Sequence, residues 1–313
     1  MPLNVPVTTG LIVDLEARYA NAGAANSANA TTSPWADQSG NGFTGTLTNF
    51  NGSSSSGWQG SGTAASPYHL VGDGTNDYVD LGSSSTLDLV GTSFSIELWV
   101  NTTTSTGFVG LADNGDSGGG GGTPYRGWYV DLSSGGSQGK PRLNVGAGAT
   151  QPALTAATAV NDGNWHHVVF TYDKPTTTGK VYIDGSLSAT NASMADVASA
   201  SPDNLKVFGD GGSTNYLNGK IAQFRLYSIA LSSTQVTSNY TYGGAGTVAT
   251  QGVAVAVGAQ TQVQKWSGGR FYAHDGSSDT YADSSKRLTE HGTATAAGSI
   301  GGVTYLADSG SGY

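Results

Sequence analysis

The glutamates are the first residues to consider for catalysis, because glycoside hydrolysis with retention needs two carboxyl groups about 5 to 5.5 Å apart. The chain has three glutamates, Glu16, Glu97 and Glu290. Glu97 lies in an alternating apolar segment, and no second carboxylate follows it in Leu98–Thr102. The sequence also lacks a His-Glu-x-x-His zinc helix and a phosphate-binding Gly-Lys-Ser/Thr loop. These observations favour a protein that is not an enzyme.

The composition narrows the class of protein further. Glycine supplies 48 of the 313 residues and charged residues only 11%, which is typical of a loop-rich β protein and excludes a coiled coil. The 13 basic and 22 acidic residues give a net charge of -9, which disfavours nucleic acid and anionic membranes as partners. The absence of cysteine excludes disulfides and thiolate metal sites.

The sequence shows neither a membrane span nor a targeting segment. No apolar run approaches the roughly 18 residues that a membrane helix needs. Residues 1–30 also lack the basic-then-apolar order of a secretory signal. If the protein acts outside a cell, we expect it to leave by lysis, by a signal-independent route or as part of a particle.

Short alternating segments separated by turn residues predict an all-β protein. The clearest segment is Phe94–Val100, where apolar residues alternate with Ser, Glu and Trp, so both faces are expected to be covered. Further strands are predicted at Trp165–Tyr172 and Lys220–Tyr227. Lys180–Ile183 leads into Asp184-Gly185, a strong signal for a β-hairpin.

The C-terminal part of the chain differs from the rest in its amino-acid composition. Ser232 and Gln235 have the spacing of a capping box, which predicts one helix of one or two turns. Beyond it the sequence becomes rich in Gly, Ala and Val, so we place a domain boundary between residues 244 and 245. Residues 245–313 include a predicted hairpin over 261–273, but a piece this small has a marginal core of its own.

Seven short sequence segments resemble, in their order and spacing, the corresponding segments of one protein family. Together they resemble a concanavalin A-like, laminin G-like jelly roll over roughly residues 10–242. The resemblance implies two antiparallel sheets packed face to face, which agrees with the alternation above. The segments are Leu11–Leu15, Trp35–Gly42, Asp73–Val79, Phe94–Val100, Trp165–Tyr172, Val181–Gly185 and Leu217–Tyr227. Ala230–Ser232 follows the last of them.

The predicted fold is therefore an all-β, concanavalin A-like two-sheet jelly-roll sandwich at residues 1–244, with a small β-rich C-terminal appendage at residues 245–313. The family includes glycan-binding modules, adhesion domains, virion surface proteins and some hydrolases, so the fold does not determine the function. Hydrolases on this fold usually carry Glu-x-Asp-x-x-Glu along one strand. The sequence after Glu97 departs from that pattern.

Sugar binding by such modules implies aromatic rings with polar neighbours, on a loop or a concave face. Four aromatic residues lie in or beside loops that also offer Asn and Asp: Trp58, Tyr125, Trp128 and Tyr216. Trp58 stands in a Gly/Ser-rich segment, where its ring would otherwise be an exposed apolar surface. Each ring could instead pack under its own loop.

Calcium is the cofactor that the resemblance implies, because many relatives hold it at the rim of the sandwich with oxygen ligands. Relatives commonly place an Asp after the Gly-x-Ile of a late strand, but here Ala222 and Gln223 follow. In loops, Asp and Asn also bond their own backbone, which is the alternative to metal binding. The candidate ligands are Asp73, Asp77, Asp113, Asn114 and Asp116.

These features lead to a functional hypothesis with one alternative. We expect a non-enzymatic virion surface protein, such as a phage capsid decoration, fibre or tail component, that displays a lectin-like jelly roll to cell-surface glycans. Residues 245–313 would dock on other virion proteins or form a homo-oligomer. The alternative is a bacterial carbohydrate-binding lectin module secreted without a cleaved signal.

Overall fold

Two antiparallel sheets contain almost all the regular structure of the first part of the chain. The structure is a computed structural model that describes residues 6–19, 34–62, 66–105, 107–116, 124–209 and 215–243, with short backbone segments between 264 and 306. The elements are β1 (Leu11–Glu16), β2 (Thr46–Thr48), β3 (Gly57–Gln59), β4 (His69–Asp73), β5 (Tyr78–Asp80), β6 (Phe94–Thr102), β7 (Val109–Asp116), β8 (Arg126–Leu132), β9 (Pro141–Val145), β10 (Ala153–Thr155), β11 (His166–Asp173), β12 (Thr178–Ile183), β13 (Ser186–Asn191), β14 (Lys206–Val207), β15 (Asn218–Tyr227) and α1 (Ser233–Gly243).

The two sheets have eight and seven strands. The eight-stranded sheet has the order β13-β12-β11-β6-β15-β4-β3, and β1 also pairs with β15. The seven-stranded sheet has the order β10-β9-β8-β7-β14-β5-β2. Since many neighbours in each sheet are distant in sequence, the chain crosses repeatedly between the sheets. The structure confirms the predicted two-sheet jelly roll.

The core lies between the sheets because one face of each central strand is apolar. Leu98 in β6 and Val130 in β8 are both 0% exposed and belong to the same cluster of buried residues. The opposite face of β6 is buried as well, with Glu97 at 0% and Trp99 at 3% exposure. Both faces of this strand are therefore covered, as the sequence predicts.

Two local signals in the sequence are confirmed. Asp184 and Gly185 connect β12 to β13 with φ angles of 50° and 77°, and positive values at both positions define the type I′ turn that hairpins favour. At the start of α1, the Ser232 amide donates to Oε1 of Gln235 at 2.9 Å, and the Gln235 amide donates to Oγ of Ser232 at 3.3 Å. This is the predicted capping box.

The helix is longer than predicted, with 11 residues instead of one or two turns. Val236 and Asn239 are 0% exposed, so one side of α1 packs on the eight-stranded sheet. Tertiary packing of that side extends the helix beyond what its weak sequence signal indicates. Within the described residues, no helix is long and apolar enough to cross a membrane.

The chain divides into two compact units, Asn4–Ala249 and a second unit of Thr250–Tyr313 with Met1–Leu3. The second unit contains two hairpins, Gln264–Ser267 with Arg270–Ala273 and Ala297–Ile300 with Val303–Leu306. The hairpin predicted over residues 261–273 is confirmed. The division into residues 1–244 and 245–313, and the anchoring role of the second part, stay predictions.

Candidate functional site

The acidic residues that could serve hydrolysis meet on the outer face of the eight-stranded sheet. Asp14 of β1 lies opposite Arg225 of β15, and Arg225 lies opposite Glu97 of β6. Arg225 donates from Nε to Oδ1 of Asp14 at 2.7 Å and from Nη1 to Oε1 of Glu97 at 3.4 Å. Its Nη2 also donates to Glu16. Three carboxylates from two strands thus surround one guanidinium.

Helix α1 and the neighbouring strands seal this cluster. Glu97 accepts hydrogen bonds from Asn239 Nδ2 at 2.6 Å and from the Tyr227 hydroxyl at 3.2 Å, and its Oε1 lies 3.1 Å from Nε2 of His167. Glu97 and Arg225 are both 0% exposed. A substrate has no access to these carboxylates, so their arrangement stabilises the fold instead of presenting an acid and a base.

The electrostatics of the cluster follow from burial and from the central Arg225 guanidinium, while Arg18 is a second buried cation that pairs with Glu16. Burial alone would raise the pKa of Glu97, but Arg225 and the hydrogen bonds from His167 and Asn239 lower it to about 2. Burial raises the pKa of Asp14 to about 6, although Arg225 opposes that shift. Asp14 and Glu97 therefore compete for the same guanidinium, and Glu97 is held ionised more firmly than Asp14.

The outer face of the seven-stranded sheet carries a second, different set of polar residues. Trp128, Val130 and Leu143 point into the core, so the residues that alternate with them point outward. The strand registers place these outward residues side by side across five strands. We call this surface the polar face; it consists of Asp80, Asp113, Tyr129, Asp131, Arg142, Asn144 and Lys206.

Hydrogen bonds fix the side chains at one end of the polar face. Arg142 forms a bidentate pair with Asp131, from Nε to Oδ1 at 2.9 Å and from Nη2 to Oδ2 at 2.5 Å. Asn144 Nδ2 donates to Oδ2 of Asp131 at 3.3 Å. Asp131 and Asn144 are buried, whereas Arg142 and Tyr129 are half-buried. The buried groups therefore position the more exposed ones.

Aromatic rings flank the polar face on both sides. Phe108, just before β7, is 45% exposed, and the Arg142 guanidinium lies 4.7 Å from its ring centroid. On the other side, the Tyr78 and Tyr216 rings stack with centroids 6.4 Å apart, and Nζ of Lys206 lies 5.2 Å from the Tyr78 ring. Partly exposed rings beside half-buried polar side chains are groups that could contact a sugar.

The four aromatic residues that the sequence suggests for sugar binding differ in their exposure. Trp58 is 4% exposed and packs edge-on against Trp35 at 5.2 Å, and Trp128 is 0% exposed with Nε1 donating to the Leu87 carbonyl. Both rings are core residues, so the expectation that Trp58 and Trp128 offer surface platforms is wrong. Tyr125 and Tyr216 are half-buried, and Tyr216 lies beside the polar face. Their role in sugar binding stays a prediction.

The expected loop at residues 113–116 is part of strand β7, which continues to Asp116. Neighbouring residues on a strand point to opposite faces: Asp113 shares the outer face with Tyr129, while Asn114 points inward and donates to the Leu87 carbonyl at 2.9 Å. These two side chains cannot serve the same ion. Only the backbone of Asp116 is described.

The other calcium candidates form a turn. Asp77 is 0% exposed and accepts from the Asp73 amide at 3.0 Å, and Asp73 accepts from the Thr75 amide at 2.7 Å. Within the described ranges, no group of three or more His, Asp or Glu side chains is arranged to hold a metal. The geometry fits turn chemistry better than the six to eight oxygen ligands of calcium. Calcium binding stays a prediction.

Sequence reasoning missed the polar face, although a signal for it exists. In Trp128–Leu132 and Leu143–Val145 the polar residues fall at every second position, which predicts an outward polar side. The alternation alone does not show that Asp131 meets Arg142, because that contact depends on the register of β8 with β9. The pairing of Asp14 and Glu16 with Arg225 was missed for the same reason.

Comparison with solved structures finds lectin-like and related domains at low identity. The binding domain of botulinum neurotoxin DC, in complex with SialylT, is 14% identical with a TM-score of 0.50, over 75% of this chain and 51% of that one. The binding domain of Paraclostridial Mosquitocidal Protein 1 is 14% identical with a TM-score of 0.51, over 91% and 72%. A Trypanosoma rangeli sialidase is 16% identical with a TM-score of 0.51, over 76% and 33%.

These likenesses establish the fold alone. The chain matches about half the length of the neurotoxin binding domain. No curated protein matches the sequence. The laminin G-type model of the concanavalin A-like lectin/glucanases superfamily matches residues 73–237, more than half of the 313 residues. With the two-sheet sandwich described above, this match shows that the chain belongs to the concanavalin A-like lectin/glucanases superfamily.

Proposed function

We propose that the jelly roll is a non-enzymatic glycan-binding domain and that the polar face contacts the glycan. The observation that carries the proposal is the juxtaposition of four half-buried polar side chains on one face, with partly exposed rings beside them; the four are Asp80, Tyr129, Arg142 and Lys206. The buried Asp113, Asp131 and Asn144 lie among them and support their positions. Carboxylate, hydroxyl and cationic groups can bond sugar hydroxyls, while rings pack against the apolar side of a sugar. The acid cluster around Arg225 is sealed, which supports binding without hydrolysis.

Glycan-array binding by the full chain tests this proposal. Tyr129→Ala removes a half-buried ring from the centre of the polar face, and we expect it to weaken binding by about three- to tenfold. Leu187→Ala removes a side chain that is 56% exposed on β13 of the other sheet and serves as the matched control. Equal binding by both variants, or hydrolysis of the bound glycan, would contradict the proposal.

Calcium is a separate part of the proposal and has its own control. The array is read first with calcium and then with a chelator. Loss of binding in the chelator would support a calcium site at the turn of Asp73 and Asp77. Unchanged binding would contradict calcium as a cofactor of this surface.

We also propose that the domain is displayed on a virion, as a phage capsid decoration, fibre or tail component. The support is a lectin-like jelly roll without cysteine, followed by a second unit that contains two hairpins. In this proposal residues 245–313 attach the protein to other virion proteins or to further copies of itself. The alternative is a secreted bacterial lectin module, which would bind the same glycans without assembling.

Deleting residues 245–313 distinguishes the virion protein from the secreted lectin module. We expect the shortened chain to keep the thermal unfolding and glycan binding of the jelly roll, because the sealed cluster and the polar face lie within residues 6–243. We expect it to lose assembly or attachment, measured by light scattering and by co-sedimentation with particles. Unchanged assembly after the deletion would contradict the anchoring role.

A further inference from the structure

We infer that α1 docks on the eight-stranded sheet together with a proton, so that the helix is held more firmly at mildly acidic pH than at neutral pH. The proton is carried by the carboxyl group of Asp14, inside the buried cluster around Arg225. This switch lies within the fold and does not depend on glycan binding. Two features carry the inference, namely the groups that α1 covers and the balance of the charges beneath it.

The C-terminal turn of α1 closes the cluster with Tyr242. The Tyr242 hydroxyl accepts from Nη2 of Arg18, and its ring lies 5.1 Å from the Arg18 guanidinium and 5.6 Å from that of Arg225. One turn earlier, Asn239 donates to Glu97 at 2.6 Å. Both contacts are lost when α1 leaves the sheet, so undocking admits water to the cluster.

The buried charges beneath α1 do not balance when every carboxyl group is ionised. Three carboxyl groups and two guanidinium groups are buried there, those of Asp14, Glu16, Glu97, Arg18 and Arg225. The chain that continues from β1 and from α1 adds no charge, because residues 20–34 and 244–264 contain no acidic or basic residue. One proton makes the cluster neutral, and a neutral cluster costs less to bury than a charged one.

Asp14 is the group that takes up this proton. Burial raises the pKa of its carboxyl group to about 6, Arg225 opposes this shift, and the negative charges of Glu16 and Glu97 add to it. Glu97 stays ionised in this range, because its pKa is about 2 despite its burial, with Arg225 as the main opposing charge. His167 directs Nε2 at Glu97, and its buried Nδ1 has no hydrogen-bond partner among the described residues. A second proton on this ring would therefore lack an acceptor.

The titratable and charged groups that face Asp14 and its neighbours come from each element packed against the cluster. They are Glu16, Arg18 and Tyr19 on and after β1, Glu97 on β6, His167 on β11, Arg225 and Tyr227 on β15, and Tyr240 and Tyr242 on α1. Asp37 accepts from the backbone amide of Asp14 at 2.9 Å. Burial raises the pKa values of Tyr19, Tyr227 and Tyr242, so these phenols stay neutral at acidic pH and do not supply the switch.

The direction of the switch follows from the proton uptake. When α1 leaves the sheet, Asp14 meets water and its pKa returns toward the ordinary value of 3.8. The contribution of the proton to docking is complete below pH 3.8 and is lost as the pH rises through about 6. These two pKa values predict that the equilibrium constant for docking rises about tenfold from pH 7.5 to pH 5.

The position of α1 in the chain gives the switch a structural consequence. It is the last helix or strand of the first unit, and the sequence continues from it into the second unit. In the undocked state its 11 residues join the connection between the two units. The switch therefore links pH to the length of free chain between them.

Thiol labelling of single-cysteine variants tests the inference, because the chain has no cysteine of its own. Val236→Cys places a thiol on the buried side of α1, and Thr234→Cys places one on its exposed side. The ratio of the first labelling rate to the second measures how often α1 opens, and it cancels the pH dependence of the thiol reaction itself. We expect this ratio to fall about tenfold from pH 7.5 to pH 5.

Asp14→Asn, made in both cysteine backgrounds, removes the proton site and keeps the size of the side chain. We expect this variant to give the low ratio of acidic pH at both pH values. Asp203→Asn is the matched control, because it changes a half-buried acid in the loop before β14 of the other sheet, and it should keep the tenfold change. A ratio that does not depend on pH, or a pH dependence that persists in Asp14→Asn, overturns the switch.

A third thiol distinguishes opening of α1 from unfolding of the whole sandwich. Val130→Cys lies in the core between the sheets, so it reacts only when the fold opens. At pH 7.5 we expect Val236→Cys to react at least about tenfold faster than Val130→Cys, because α1 opens while the sandwich stays folded. Equal rates would show that the helix opens only with the whole fold, which overturns the switch.

Carbon NMR of the Asp14 carboxyl group measures the proton uptake in the unsubstituted chain, so the test does not depend on the folding of Asp14→Asn. We expect a titration midpoint near pH 6. A midpoint near the ordinary value of 3.8 would overturn the inference. None of these outcomes affects the proposed glycan binding, which Tyr129→Ala tests separately.

Discussion

Arg225 shows how one residue makes a buried acidic cluster compatible with folding. Its guanidinium is 0% exposed and bonds Asp14, Glu16 and Glu97, which would otherwise repel one another in a buried region. Arginine suits this position because its planar group offers donors in several directions and stays protonated. The same residue explains how three acids can lie together in a buried cluster.

Arg225→Met is therefore expected to destabilise the protein by about 3 to 5 kcal/mol at neutral pH, since it removes the central cation from Asp14 and Glu97 and leaves Glu16 with Arg18 alone. Without Arg225, burial raises the folded-state pKa of Asp14 further above its unfolded value, so part of the lost stability should return as the pH falls. Urea unfolding at several pH values measures both effects. Lys174→Met is the control, because Lys174 pairs with Asp196 at the surface and its loss should cost less than about 1 kcal/mol. A similar loss for both variants would contradict this role of Arg225.

The ion pairs of His166 predict a second pH dependence of stability. Here the contribution to stability is largest at low pH. Its Nδ1 lies 2.8 Å from Asp184 and its Nε2 lies 3.1 Å from Asp162. The hydrogen bond to Asp184, partly opposed by burial and supported by Asp162, raises the pKa of His166 above 6.5. The protonated ring therefore stabilises the folded state fully below pH 6.5, and this contribution is lost as the pH rises through the folded-state pKa.

At pH values below 6.5, His166→Gln should accordingly lower the midpoint temperature of thermal unfolding. At alkaline pH the effect should be smaller. The difference in stability should not exceed about 1 kcal/mol, because Asp162 is exposed to solvent. Asp162→Asn provides the check: it should lower the His166 pKa and move the effect to lower pH. A constant difference between wild type and His166→Gln at all pH values would contradict this assignment.

At the scale of elements, α1 acts as a cover for the outer face of the eight-stranded sheet. Asn239 donates to Glu97 and to the Tyr227 hydroxyl, at 2.6 and 3.0 Å, and accepts from the Val7 amide at 2.9 Å. The Tyr240 ring stacks on Trp99 with centroids 5.7 Å apart. The helix is thus joined to the sheet by a buried amide and an aromatic pair.

Asn239→Ala removes three hydrogen bonds from a side chain that is 0% exposed, and we expect it to destabilise the protein by about 1 to 3 kcal/mol. Thr234→Ala, on the exposed side of α1, should stay within about 0.5 kcal/mol of wild type. Unfolding followed by tryptophan fluorescence compares the two, because Trp99 lies under the helix. Equal stability of the two variants would show that α1 is held by other contacts.

At the scale of the whole molecule, the sequence predicts local structure well and distant contacts poorly. The alternation in Phe94–Val100 and the Asp184-Gly185 turn predict β6 and its neighbouring hairpin because both signals are local. The burial of Trp58 depends on its contact with Trp35, and no local pattern shows that contact. The polar face is missed likewise, because it depends on the registers of β5, β7, β8, β9 and β14.

The pairing of β1 with β15 also sets the time at which the chain can fold during synthesis. Asp14 and Arg225 are 211 positions apart, and β15 is the only partner of β1 among the sheet pairings of the described residues. As the ribosome makes the protein, β1 emerges first and has no strand to join until nearly the whole jelly roll has followed it. A nascent chain that stops before residue 225 leaves Asp14 of β1 without its cation, so the eight-stranded sheet closes only after β15 has been released.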